Sequence, residues 1–157
     1  MPFSPASPPK LGPLAEVALR DGMHSMMTKL WAALLLAQNA QLRRDGGSIV
    51  LVSGLVAKRP QPGQAVMAAV NAAVEGLVRA LAVELAPLRV NAVSPGLVPA
   101  HADLGEAVAK RVAAAEQRLP ARRVGQPEDI TAAALFLMTN AYATGTVLDV
   151  DGGGAIA

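Results

Sequence analysis

The chain contains no cysteine. That excludes a disulfide framework and any thiol chemistry, and it suits a reducing compartment. Aromatic residues make up only 3%, too few to build the stacking platforms that hold single-stranded nucleic acid. Charge of either sign is sparse and scattered: 14 Lys and Arg against 12 Asp and Glu, a formal +2. The basic pI of 9.4 therefore comes with no basic stripe, and a nucleic-acid partner is not expected. Long apolar runs are missing too. The longest, "LWAALLLA" at Leu30 to Ala37, falls far short of the roughly 20 residues of a membrane span. The opening "MPFSPASPPKLGP" has no apolar signal core and too much proline for a helix. These features predict a cytoplasmic protein without a membrane partner. His24 and His101 stand alone, without a carboxylate or a second histidine at metal spacing, so no metal site is expected.

Small aliphatic side chains dominate instead. Of 157 residues, 52% are apolar and the mean hydropathy is +0.36, ample for the core of one domain. Residues 1–13 read as a Pro-rich extended arm, and 14–157 as the folded domain. From about Leu14 a helical period places Met23, Met27, Leu30, Leu34 and Leu35 on one face. Its end is expected near Arg43, Arg44 and Gly46. "SIVLVS", Ser48 to Ser53, is a short run of the kind buried on both faces of a parallel sheet. A helix follows from about Gln64 to Leu85, with the apolar stripe Val66, Val70, Val74, Leu77, Leu81 and Leu85. Glu75 and Arg79 are spaced to pair on its surface. "LRVNAVSPG" is a second strand, Ala102 to Leu119 a polar helical segment, "GQPEDI" a helix start reaching about Met138, and "TVLDVDGGG" a third strand entering a glycine turn. Strands alternating with helices predict an α/β layer with a parallel sheet.

Three stretches carry a family resemblance: "GGSIVLVSG", "RALAVELAPLRVNAVSPGLV" and "LPARRVGQPEDITAAALFLMTNAYATGTVLDVDGGG". In this order and spacing the sequence resembles the short-chain dehydrogenase/reductase family from about Leu14 onward. The resemblance implies a partial Rossmann-like, doubly wound parallel sheet of about three strands. It implies NAD(P) as cofactor and carbonyl/alcohol oxidoreduction of an unidentified small molecule. It also implies a homodimer or homotetramer through the helices at about 23–42 and 64–85. The small residues Ala68, Ala69, Ala72, Ala73, Gly76 and Ala80 make the second of these smooth enough for a two-fold contact.

Two departures weigh against the family's chemistry. First, members begin with a strand and a Gly-rich turn that holds the dinucleotide pyrophosphate at a helix N-terminus. Nothing here matches, and the cluster Gly152 to Gly154 precedes no helix. The cofactor-binding half is expected to be missing, with strand 48–52 left as an unpaired edge open to another chain or to aggregation. Second, members carry Ser, Tyr, Lys and Asn for general acid–base catalysis. The aligned positions are Gly54 (with Ser53 one residue early), Met67, Asn71 and Lys29. A thioether transfers no proton, and an amide has no charge to tune a neighbour, so the standard activity is expected to be absent. Lys29 reads either as a replacement ammonium beside Ser53 and Asn71 or as a snorkelling surface lysine. Met67 reads as packing in the space of the lost phenol. If a cofactor binds, Asn71 and the turn Pro95, Gly96, Leu97 and Val98 are the expected contacts, weakened by Ala100 where a Thr often stands. Tyr142 reads as a loop residue, Lys58 and Arg59 as a solvated loop, and His101 as lying near the mouth of the cleft. The alternative reading is a non-catalytic remnant that oligomerises or binds a partner.

Overall fold

In the computed structural model, residues 11–39, 47–99 and 105–157 are described. The expected helix end at Arg43 to Gly46, together with Ala100 and His101, lies outside them. A 3-10 turn at Leu14–Glu16 leads into α1 (Leu19–Met26), a π-helical segment (Met27–Trp31) and α2 (Ala32–Asn39). Then come β1 (Ser48–Val52), α3 (Ala65–Glu84), β2 (Arg89–Pro95), α4 (Glu106–Arg118), α5 (Pro127–Thr139) and β3 (Val147–Val150). The strands form one parallel sheet in the order β1-β2-β3. Ser48 lies opposite Arg89, and Ala92 opposite Val147. Among the described residues the outer edge of β1 has no neighbour.

Strand alternation gives each face its own core. Leu51, Val90 and Ala92 meet Val74, Val78 and Leu81 of α3 and Ala33 and Ala37 of α2. Val50 and Val93 point the other way, to Leu137 of α5. A third cluster joins Ala115 and Leu119 of α4 to Val124.

The expected apolar face of the first helix divides. Leu30 and Leu34 pack on the core, whereas Met23, Met27 and Leu35 are exposed alongside Trp31. The cause is size: the helix approaches the sheet through Ala33 and Ala37, which turns the larger side chains outward. The stripe of α3 lies inward as its period requires, with Val70, Val74 and Leu81 buried. At 20 residues and a mean hydropathy of 1.6, α3 is long and apolar enough to cross a membrane. Its inner face is nevertheless packed on the sheet, and it carries the buried polar residues Asn71 and Glu75. Glu75 does not pair with Arg79; it turns inward to a serine.

Two polar devices fix α5. At its start, Asp129 accepts the Gln126 N–H at 2.8 Å and a forked pair from Arg123 at 2.6 and 2.8 Å. Those bonds hold its carboxyl well below the usual carboxylate range. At its end, the Arg89 guanidinium donates to the carbonyls of Leu137 (2.7 Å), Met138 (2.7 Å), Asn140 (2.8 Å) and Ala143 (3.3 Å). A cation at the negative end of a helix dipole thereby satisfies carbonyls the helix leaves orphaned.

Candidate functional site

Met67, Asn71 and Glu75 recur every fourth residue on α3, so they share one face. That face looks toward the end of β1, where Ser53 and Gly54 follow the strand. The α1–α2 helix brings its π-helical segment across, and with it Lys29. The result is a buried polar network. The Lys29 ammonium donates to the Ser53 carbonyl at 3.1 Å and to Asn71 Oδ1. The Ser53 hydroxyl donates to Glu75 Oε1 at 2.9 Å and lies 3.4 Å from the Asn71 carbonyl. Ser53, Asn71 and Glu75 are all buried. Burial lowers the Lys29 pKa from 10.5 to about 8, while the two hydrogen bonds it donates work to keep it charged. Gly54 adjoins the network: a Cβ there would lie 3.0 Å from Asn71 Nδ2.

Lys29 is thus drawn into the cluster that the sequence implied, with Ser53, Gly54 and Asn71. Met67 stands apart from it. Its thioether lines a cleft of about 520 Å³ with Gly96, Leu97, Leu55 and the start of the glycine turn. The segment Pro95 to Val98 separates this cleft from an apolar groove of about 680 Å³. That groove is bordered by Val50, Val52 and Val93 of the sheet and by Ile130, Leu135 and Met138 of α5. Gly96 faces both cavities. A Cβ on it would lie 2.7 Å from the Asp151 Cα, so close backbone packing requires glycine there.

The basic loop before α3 departs from expectation. Lys58 and Arg59 are not simply solvated. Lys58 bonds both oxygens of Asp149 at 2.6 and 2.7 Å, and Arg59 donates to the Gly154 carbonyl at 3.2 Å. Contacts spanning 91 and 95 residues of chain leave no local mark in the sequence. Tyr142 is 99% exposed, and His24 is exposed on α1. Glu75 was overlooked as a member of the site; its place eight residues beyond Met67 was the available signal. No group of three metal-ligating side chains occurs among the described residues.

Among the described residues, the glycine cluster after β3 offers no cradle for a dinucleotide. Gly152 to Gly154 fold back on themselves, because both oxygens of Asp151 accept backbone N–H groups, from Gly153 and Ala155 at 2.8 Å each. Among the described residues no other glycine turn leads from a strand into a helix to cradle phosphates. Asn71 is 3% exposed and its oxygen is engaged by Lys29.

A parallel α/β sheet with a cleft beyond the carboxyl ends of its strands defines the doubly wound class. The family profile described as Enoyl-(Acyl carrier protein) reductase matches residues 4–154, and the chain belongs to the short-chain dehydrogenase/reductase family. It is 38% identical over 148 residues to the short-chain dehydrogenase/reductase malC of Malbranchea aurantiaca, covering 90% of this chain and 56% of that protein. The chain thus spans little more than half the length of that curated relative. A crystal structure of a small-chain dehydrogenase in complex with NADPH superposes with a TM-score of 0.89 at 38% identity, over 94% of this chain and 69% of that one. An NADPH-bound short-chain oxidoreductase from Pseudomonas aeruginosa PAO1, described as containing an atypical catalytic center, superposes with a TM-score of 0.77. It is 28% identical, over 97% of this chain and 64% of that one.

Proposed function

We propose that this chain is the substrate-side part of an oxidoreductase fold in which the family's Tyr–Lys proton transfer does not operate. The observation that carries this reading is Met67. At the position matched to the family's tyrosine, a thioether with no exchangeable proton faces the cleft beside Gly96 and Leu97. Four residues on, Asn71 accepts from Lys29 instead of offering a cation. Lys29, Ser53 and Glu75 are the groups of this network able to hold or pass a proton, and none of them lines the cleft that Met67 faces. The Pseudomonas relative supports the idea that an altered centre and NADPH coexist in this family. In the present chain the cofactor is NAD(P) by family, and the described donor set points to no binding by the chain alone.

Calorimetric titration with NADH and NADPH is the test. No micromolar binding is expected; micromolar binding would show that the pocket is completed in some other way. As a control, Gly54→Ser with Met67→Tyr and Asn71→Lys restores three of the family's four residues and is expected to give no NAD(P)H turnover, because the chain alone holds no dinucleotide. Turnover by this triple variant would show that the cofactor-binding half is not missing after all.

The second reading, an assembly or partner-binding role in a cytoplasmic protein, is favoured by the surface of the paired helices. Met23, Met27, Trp31 and Leu35 form an exposed apolar stripe, and a Cβ on Gly76 would meet open space. A homodimer through this face is expected. Trp31→Glu should convert it to monomer in sedimentation at unchanged circular dichroism, and a monomeric parent chain would remove the proposal.

A further inference from the structure

The 520 Å³ cleft has a property the family frame does not explain. Besides Met67, Leu97 and Leu119, its wall carries three guanidinium groups, Arg59, Arg111 and Arg118. The one carboxylate on the wall, Asp151, has both oxygens occupied by backbone N–H groups. Three guanidiniums outnumber the two carboxylates near them, Asp151 and the Ala157 terminus that Arg118 contacts, so the cleft keeps a net positive charge. Arg59 donates to the Gly154 carbonyl and Arg118 to a terminal oxygen of Ala157, at 3.2 Å each. A guanidinium bonded once still has four N–H donors to offer. Arg111 lies seven residues before Arg118 on α4, two helical turns, and so on the same face. Among the described residues it makes no hydrogen bond or ion pair. Arginines around an apolar floor suit a ligand with an oxyanion at one end and a hydrocarbon body at the other, because the planar fork binds carboxylate or phosphate through two parallel bonds.

We propose that this cleft binds an amphipathic organic anion, a carboxylate or phosphate ester carrying a short aliphatic chain, with Arg111 and Arg118 gripping the oxyanion and Met67, Leu97 and Leu119 receiving the chain. The proposal names a ligand class for the cleft that Met67 faces, and rests on the reading of this chain as the substrate-side part of the fold. It needs neither cofactor nor turnover, so it stands or falls separately from the nucleotide titration.

The test is calorimetric titration of the full chain with hexanoate, hexyl phosphate and 1-hexanol at low and high salt. At least one anion should bind, at least tenfold more tightly than the alcohol, and should weaken with added salt as exposed charges are screened. Whichever anion binds more tightly identifies the oxyanion. Arg111→Gln, on an exposed side chain without partners, should fold as the parent does and lose about tenfold in affinity. Arg118→Lys keeps the charge without the fork and should lose less than Arg118→Gln. Equal binding of alcohol and anions, no binding of either anion, or Arg111→Gln and Arg118→Gln chains with parental affinity would each overturn the proposal.

Discussion

Arg89→Met lowers the unfolding free energy by about 3 kcal/mol, because a buried apolar side chain replaces a cation that closes the end of α5. In the parent chain one guanidinium serves the carbonyls of Leu137, Met138, Asn140 and Ala143. Ala143 and Asn140 keep second donors, Asn91 Nδ2 at 2.8 Å and the Ala143 N–H at 3.2 Å, so the loss falls mainly on Leu137 and Met138. Both belong to the last turn of α5, where the Leu137 side chain, 1% exposed, seats the helix on the sheet. Unsatisfied carbonyls there loosen the helix where it borders the 680 Å³ groove. The midpoint of thermal unfolding should fall by on the order of 10 °C. Arg89→Lys should recover only part of that, since an ammonium lacks the fork. Thermal unfolding of the two variants decides the matter, and a methionine variant within 2 °C of the parent would falsify this account.

The second large effect is a dependence on alkaline pH. Burial lowers Lys29 to about 8 from its ordinary 10.5. Between those values the unfolded chain holds more of the Lys29 proton than the folded chain does. Unfolding free energy therefore rises as pH climbs through that window, is fully gained above 10.5, and is lost again as pH falls through 8. The unscreened shift corresponds to about 3 kcal/mol, and partial solvent access to a half-buried side chain trims it to about 2 kcal/mol. Lys29→Met removes the titrating group. Urea unfolding of both chains at pH 7.5 and 10.5 should show the parent gaining about 2 kcal/mol relative to the variant. Parallel pH profiles would mean that the ammonium reaches water freely and that the network around Asn71 does not enclose it.

Much of this was legible in the sequence because it is local. The runs at 48–52 and 89–95, the α3 stripe and the Pro127 start of α5 each follow from short-range pattern, and all appear in the structure. Met67 and Asn71 were legible because the helix frame around them survives while their side chains do not match it. What escaped notice depends on contacts across the chain. Glu75 is spaced as a surface partner for Arg79, but Ser53, 22 residues away, donates to it instead. Arg89 gave no sign of reaching carbonyls 48 to 54 residues ahead. The outward turn of Met23, Met27 and Leu35 escaped too, because periodicity marks an apolar face without saying what covers it. Alanines at the contact decided that.

The π-helical segment at Met27–Trp31 bears on phase. An α-helix advances 100° per residue, and a π turn holds one residue more than the α-helical count would place there. The surplus is taken up within that turn, so the helix on either side keeps nearly the phase it would have without it. A single-residue deletion inside the segment should therefore turn the rod into uninterrupted α-helix and leave the two ends in their present alignment. The same deletion in α2 would turn everything before it by about 100° relative to everything after it, and would carry the Lys29 ammonium off Asn71. The π turn is thus where this rod can give up a residue without losing the registry between its outer apolar seam and its inner polar network.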